Sequence, residues 1–416
     1  MDEKYEKVKK ILKDNKQEQL LIWYNKLIEQ KREELLDQIL DIDFEQVKQL
    51  YEETKKTKDF KDCKVEPLSY IDKEKLSQEE KQEYAKDGIK AIQEGKYAVV
   101  TMAGGQGTRL GHNGPKGTFE LEVGEKKPLF TLLSETILEA EETYHAIIPW
   151  YIMTSKENNY KTTQFFKRHE YFGMGEENIK FFIQNELPMV DTNGKILVDE
   201  KGLVKEAADG HGGIFEAMRK EGIIEDMQKR GIEWIFIAGV DNVLAKMVDP
   251  LLTGIAIDKK CLAAGKSVVK SNPKERVGVF CKKNNKPSVI EYTEITDEMA
   301  EATDEDGELL YGESHILCNL FNIQAIEEIA KNKLPYHSAF KKAKYIDKNG
   351  VIVVPESPNA YKFEAFIFDA FERLDNMAIM RVKREEEFAP VKNAEGVDSP
   401  ETATKLYLDY IKNKKK

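Results

Sequence analysis

Residues 97–120 read YAVVTMAGGQGTRLGHNGPKGTFE. The apolar run before the glycines has the length and composition of a buried parallel strand that enters a turn. Glycines then crowd the chain, with Arg109 and Lys116 among them. Exposed peptide N–H groups in such a turn form a concave anion site. Arginine offers phosphate oxygens a planar fork, and lysine acts as a compact point charge. Pro115 stiffens the chain just before Lys116. A surface loop carrying two solvated cations would not need this density of glycine directly after a buried strand. Two familiar phosphate motifs fail. A P-loop needs a glycine where Pro115 stands, and a dinucleotide fingerprint needs one where Leu110 stands.

Outward from this loop, apolar runs recur at AIIPWYIMT, IKFFIQ, WIFIAGV and KSVVK. Helical patterns separate them: TLLSETILEAEETY, GIFEAMRKEGIIEDMQKRG and QAIEEIAKN. Strands alternating with helices predict an α/β fold, a Rossmann-like core with a mixed, largely parallel sheet. Open sheets of this kind bind ligands beyond the C-terminal ends of their strands. Residues 1–95 read as an N-terminal helical lobe. One amphipathic helix is expected along QLLIWYNKLIEQKREELLDQIL, a second after Asp43, and a third from Ser77 to Gly95. Residues 96–385 form the expected central domain, and 386–416 a short C-terminal region ending in a helix with a basic tip.

Composition narrows the function. The formal net charge is −11 with acids and bases mixed along the chain, which argues against a nucleic-acid or membrane-surface partner. Hydrophobic residues make up 41% of the chain, enough for a large core. Cys63, Cys261, Cys281 and Cys318 form no CxxC pair, so free thiols in a reducing compartment are expected. The charged N-terminus lacks an apolar signal core, and no stretch approaches the roughly 18 apolar residues of a membrane span. A cytoplasmic monomer is the expectation.

MAGGQGTRLG followed by PKG resembles the signature of the eukaryotic-type UDP-sugar pyrophosphorylase family, nearest its UDP-N-acetylglucosamine (UDP-N-acetylhexosamine) branch. The resemblance continues in order through QNELPMVDTNGKI, ADGHGGIFEAM, GVDNVLAKMVDP, GVFCKKNNKPSVIEYTEI, KFEAFIFDAF and REEEFAPVKNAEG. It implies that UTP and a sugar 1-phosphate yield a UDP-sugar and pyrophosphate by in-line attack on the α-phosphorus. It also implies Mg²⁺, with Mn²⁺ able to substitute. By the same resemblance Gly104 and Gly105 let the backbone approach the nucleotide, and Arg109, Lys116 and Lys392 serve its phosphates. Gln184 and Gly210 contact the nucleotide, and Asp241 holds the metal beside it. His211, Gly278, Glu291, Tyr292, Asn319, Lys362, Phe366 and Phe368 fall at sugar-contacting positions.

One position departs from the family pattern. Where ADGHGGIF has His211, the family usually has asparagine, which touches the sugar in the N-acetylhexosamine enzymes. Histidine is bulkier and changes the donor pattern. Glucose or galactose 1-phosphate therefore stands beside N-acetylglucosamine and N-acetylgalactosamine 1-phosphate as an expected substrate. A non-catalytic UDP-sugar-binding protein is a third reading. It has no reason to keep Arg109, Lys116, Asp241 and Lys392 together.

Overall fold

The computed structural model describes residues 2–56 and 63–414. They form two compact units. The larger comprises residues 63–184, 214–333 and 367–414, and the smaller residues 2–56, 185–213 and 334–366.

The larger unit is built on β1 (Tyr97–Met102), β2 (Trp150–Thr154), β3 (Ile179–Ile183), β4 (Trp234–Gly239), β5 (Ala263–Val269), β6 (Glu313–Asn322) and β7 (Ala378–Arg381). Their order across the sheet is β7-β5-β6-β4-β1-β2-β3. The β4, β1, β2 and β3 strands run parallel, as does β7 with β5, while β6 is antiparallel to both neighbours. The sheet is thus mixed and mostly parallel, as the alternating strand and helix patterns predict. Every residue of β1, β2 and β4 is buried, the signature of a sheet covered on both faces. Register aligns Gly239 with Met102, Met102 with Met153, and Thr154 with Ile183. The four C-terminal strand ends therefore form one edge, and the glycine loop leaves from its middle.

Helix Gln78–Gln93 starts as expected. Ser77 accepts from the Glu80 N–H at 3.1 Å, and the Glu80 carboxylate accepts from the Ser77 N–H at 2.8 Å, a reciprocal capping box. This helix packs tightly on helix Pro250–Asp258. A Cβ on Gly88 would sit 2.0 Å from the Pro250 carbonyl oxygen, and one on Gly254 would sit 1.6 Å from that of Tyr84. Bare Cα atoms on both helices let the backbones touch. The pattern GIFEAMRKEGIIEDMQKRG gives two helices, Ile214–Lys220 and Ile223–Lys229. They part at Gly222, which takes φ +69°.

The smaller unit packs helices Asp2–Asp14, Glu29–Asp41 and Phe44–Glu53 with short strands; the last begins after Asp43 as expected, and Asp43 caps it. The single helix expected from residue 19 to 40 is interrupted. Two 3₁₀ turns, Glu18–Leu21 and Tyr24–Lys26, precede an extended step at Leu27 and Ile28. Tertiary bonds replace the helical ones. The Arg32 guanidinium donates to the Tyr24 and Asn25 carbonyls, and Trp23 Nε1 donates to the Asp347 carbonyl at 3.2 Å. DTNG, DEKG and DKNG in this unit are Asp-x-x-Gly turns of one kind. In each, the aspartate accepts two later N–H groups and the glycine takes positive φ. The helical lobe expected over residues 1–95 does not coincide with one unit, because helix Gln78–Gln93 belongs to the larger and the smaller also draws on two distant segments. Among the described residues no helix is long and apolar enough to cross a membrane.

Candidate active site

The loop after β1 is organised by its own backbone. Lys116 donates its N–H to the Gly105 carbonyl at 3.0 Å, and Gly107 to that of Gly114 at 2.9 Å. These bonds fold residues 105–116 back on themselves. Gly117 then lies flat on Phe130: a Cβ there would come 2.2 Å from the ring. Thr118 Oγ1 donates to the Pro115 carbonyl at 2.8 Å, so the His112 Nε2 contact with that oxygen, also 2.8 Å, has the imidazole donating. The two glycines predicted to approach the nucleotide differ. Gly104 lies against the buried Gln184 side chain, where a Cβ would stand 2.7 Å from the amide. Gly105 is exposed and faces open space. Gln184 holds its place because its N–H donates to the Thr154 carbonyl at 2.8 Å.

The same strand edge supplies Asp241, two residues past β4. Its carboxylate lies 3.6 Å from the Lys116 ammonium, with both side chains about one-fifth exposed. Gly239 makes room for it, since a Cβ there would meet Asp241 Oδ1 at 2.6 Å. The carbonyl of Asp241 accepts the Val391 N–H at 3.0 Å, which brings Lys392 to the next residue along the chain. Lys392 Nζ lies 3.6 Å from Asp398 and is half-exposed. Arg109 is exposed on the 3₁₀ turn Thr108–Leu110. The loop lysine, the strand-end carboxylate and the C-terminal lysine segment thus meet on one edge of one unit.

Two asparagines missed in the sequence hold this edge together. Asn158, fully buried, donates to the Ala103 and Gly105 carbonyls at 2.8 and 3.3 Å and accepts the Ser155 N–H at 2.9 Å. Asn242 donates to the Glu387 carbonyl at 2.8 Å and accepts the Ala389 N–H at 2.9 Å. Only the position of Asn242 beside Asp241 could have flagged it. Nothing local marks Asn158.

The positions expected at the sugar fall on both units. On the larger unit a Cβ on Gly278 would lie 3.1 Å from Glu291 Oε1. The Gly278 carbonyl accepts the His315 N–H at 2.8 Å, and the His315 ring bonds the Asn319 amide at 3.1 Å. Phe368 meets the same imidazole edge-on, its ring centroid 6.0 Å away. His315, unremarked in the sequence, therefore links three of the predicted residues. Tyr292 is exposed. On the smaller unit Gly210 takes φ +86°, and a Cβ on it would strike the Ala365 carbonyl oxygen at 2.3 Å. His211 packs 5.5 Å from Phe366, which stacks on His337 at 4.8 Å. Lys362 pairs with Glu364 at 2.7 Å.

Residues 41–398 match the family model described as UTP--glucose-1-phosphate uridylyltransferase. The chain belongs to this family. Among similar proteins, UDP-N-acetylglucosamine diphosphorylase 2 of Arabidopsis thaliana is 37% identical over 95% of this chain and 82% of its own length. UDP-N-acetylglucosamine pyrophosphorylase of Saccharomyces cerevisiae is 38% identical over 83% of this chain and 75% of its own. The crystal structure of the uridine diphosphate N-acetylglucosamine pyrophosphorylase from Trypanosoma brucei superposes with a TM-score of 0.83 at 31% identity, covering 98% of this chain and 85% of that one. This family member is accordingly a nucleotidyltransferase of the UDP-sugar pyrophosphorylase type.

Membership implies a divalent cation. Among the described residues no group of three or more His, Cys, Asp or Glu side chains could hold a metal by itself. Asp241 is one partly exposed carboxylate at the strand edge. That fits Mg²⁺, which binds through one or two carboxylates, substrate phosphates and water, and does not fit a closed structural zinc site.

Proposed function

We propose that this family member transfers uridylate from UTP to N-acetylglucosamine or N-acetylgalactosamine 1-phosphate, releasing pyrophosphate. The observation that carries this is the convergence of Lys116, Asp241 and the Lys392 segment on the edge from which the glycine loop leaves. The names of the relatives support the N-acetylated sugar.

In this reading Gly105 and its neighbours present peptide N–H groups to the nucleotide. Lys116 and Arg109 neutralise its phosphates. Gln184 recognises uracil, whose imide edge needs both a donor and an acceptor. The sugar phosphate is already anionic, so no base is needed. One of its oxygens forms a bond to the α-phosphorus, and the bond from that phosphorus to the bridging oxygen breaks in line. The electron pair leaves with pyrophosphate. Catalysis is positioning and charge neutralisation. Asp241 would hold the cation, which when bound screens the approaching phosphates. Lys392 reaches the α-phosphate as negative charge redistributes.

The decisive experiment is pyrophosphate release from UTP with Mg²⁺ across a panel of sugar 1-phosphates. Turnover fastest with N-acetylated sugars supports the proposal, and no turnover with any sugar would end it. His211 favours a second reading, in which glucose or galactose 1-phosphate is the preferred partner. The variant His211→Asn should raise the kcat/KM ratio for N-acetylglucosamine over glucose 1-phosphate about tenfold, in the range by which one sugar substituent is discriminated. An unchanged ratio would remove His211 from specificity.

A further inference from the structure

The motif REEEFAPVKN has an acidic half that the phosphate chemistry leaves unused. Its glutamates divide: Glu385 is exposed and Glu386 partly so, but the third turns inward. Glu387 is almost fully buried, and its carboxylate meets the ammonium of Lys266 at 2.5 Å and that of Lys73 at 3.0 Å. Lys266 lies on β5 with its side chain fully buried. It also pairs with Asp249 at 2.7 Å and donates to the Lys246 carbonyl at 3.1 Å. Asp249 caps helix Pro250–Asp258 by accepting from the Leu251 and Leu252 N–H groups. Arg384, three residues before Glu387, grips Glu275 with one nitrogen at 2.8 and 3.0 Å from its oxygens.

A buried ion cluster of this kind is a weak source of stability. Apolar residues of similar volume commonly do as well, because desolvation offsets the attraction. What the cluster does supply is a fixed address. Lys266 grips the chain after Asp241 at the Lys246 carbonyl and at Asp249. It grips the segment before Lys392 at Glu387. Between these points the two segments are laced together by the Asn242 amide, by the Val243 N–H on the Ala389 carbonyl at 3.3 Å, and by the Val391 N–H on the Asp241 carbonyl at 3.0 Å. Burial raises the Glu387 carboxyl, but the Lys266 and Lys73 cations outweigh it and hold the group below the usual carboxylate range, so it stays charged.

We infer that Lys266 and Glu387 are positioning residues for uridylyl transfer, a buried ion pair that sets where Asp241 and Lys392 stand relative to each other. Neither residue touches substrate. Both act through the 241–249 and 387–392 segments. The inference rests on the roles proposed above for Asp241 and Lys392.

Two measurements test it on the full chain. The first is hydrogen exchange without ligands. In Glu387→Gln, amides of residues 389–393 and 241–244 should exchange at least tenfold faster than in the parent, while the glycine loop keeps its protection. Unchanged exchange there overturns the inference whatever the enzyme acts on. The second is a kinetic cycle with UTP and the best sugar 1-phosphate. Glu387→Gln should lower kcat at least tenfold, raise the Mg²⁺ concentration for half-maximal rate, and leave KM for UTP within about threefold. In a Lys392→Ala background the same change should cost less than twofold, because the residue it acts through is gone. Full additivity overturns the inference. Should Glu387→Gln not fold, the paired variant Lys266→Met, Glu387→Gln removes the charge pair together. Parental kcat in that variant would equally overturn it. Absence of turnover in the parent would indict the proposed function instead, leaving the exchange result to decide this one.

Discussion

The glycine loop after β1 and the segment 384–392 deliver a lysine to the same strand edge by opposite means. The loop is closed largely by short-range bonds between residues no more than about a dozen apart, with Asn158 adding a distant clamp on the Gly105 carbonyl and bare Cα atoms where Gln184 and Phe130 lie close. The C-terminal segment has short-range bonds too, Phe388 N–H to the Arg384 carbonyl at 2.8 Å and Lys392 N–H to that of Asp398 at 2.6 Å, but they do not tie it to the strand edge. The buried Lys266 on β5, the partly buried Lys73 and the Asn242 amide fasten it there by holding Glu387. A site can therefore be half local and half borrowed. The borrowed half should answer to conditions, acid above all, that leave the local half alone.

The largest effect should come from the local half. Lys116→Ala removes the ammonium that faces Asp241 and should lower kcat by about 10² to 10³, the usual range for one charge-stabilising donor. UDP-sugar binding, measured by calorimetry, should survive in part. A variant with full activity would take Lys116 out of the chemistry. Gly117→Ala probes the loop's packing. Its new Cβ must displace the Phe130 ring, which should destabilise the protein by about 1–3 kcal/mol in denaturant unfolding. An unshifted midpoint would mean the loop does not depend on that contact.

Acid should separate the two halves. In Glu387 and Asp249, burial pushes the carboxyl up, but neighbouring lysines more than compensate, and both groups lie below their ordinary values. For carboxyls depressed by folding, the stabilisation is present above the unfolded-state pKa and is lost as pH falls through the folded one. Protection factors at residues 387–393 should thus fall as pH drops below about 4, before those of residues 103–118 respond. Simultaneous loosening would contradict the division. The smallest effect is expected at Asp398→Asn, which removes only the charge partner of the half-exposed Lys392 and keeps a residue that tolerates the positive φ of +57°. Exposed pairs contribute little, so stability should move by no more than about 0.5 kcal/mol and kcat by less than about threefold. A large loss would show that the exposed pair, not the buried cluster, sets the lysine.

Legibility followed the same division. The strand runs, the capping box at Ser77 and the crowding of glycines around Arg109 and Lys116 were readable because each is a relation among near neighbours. The break after Trp23 was not, since it depends on Arg32 and Asp347 taking the backbone and indole groups that a continuous helix would leave otherwise bonded. Asn158 and Asn242 escaped notice because a buried amide has no periodicity and declares itself only through its partners. Lys392 was singled out by family resemblance alone. From spacing it was an ordinary surface lysine.

By itself the sequence determined an α/β core, a buried strand that ends in a glycine-crowded loop, and the two cations beside that loop. Tertiary structure alone decided that Asp241 faces Lys116 and that the Lys392 segment lies beside them. It also turned Arg384 and Glu387 of REEE onto ionic partners while Glu385 stays exposed. The physical reason is range. Backbone propensity and glycine sterics act over a few residues and leave a local trace. Burial of a charge is settled by partners more than a hundred residues away, which only the folded chain brings together.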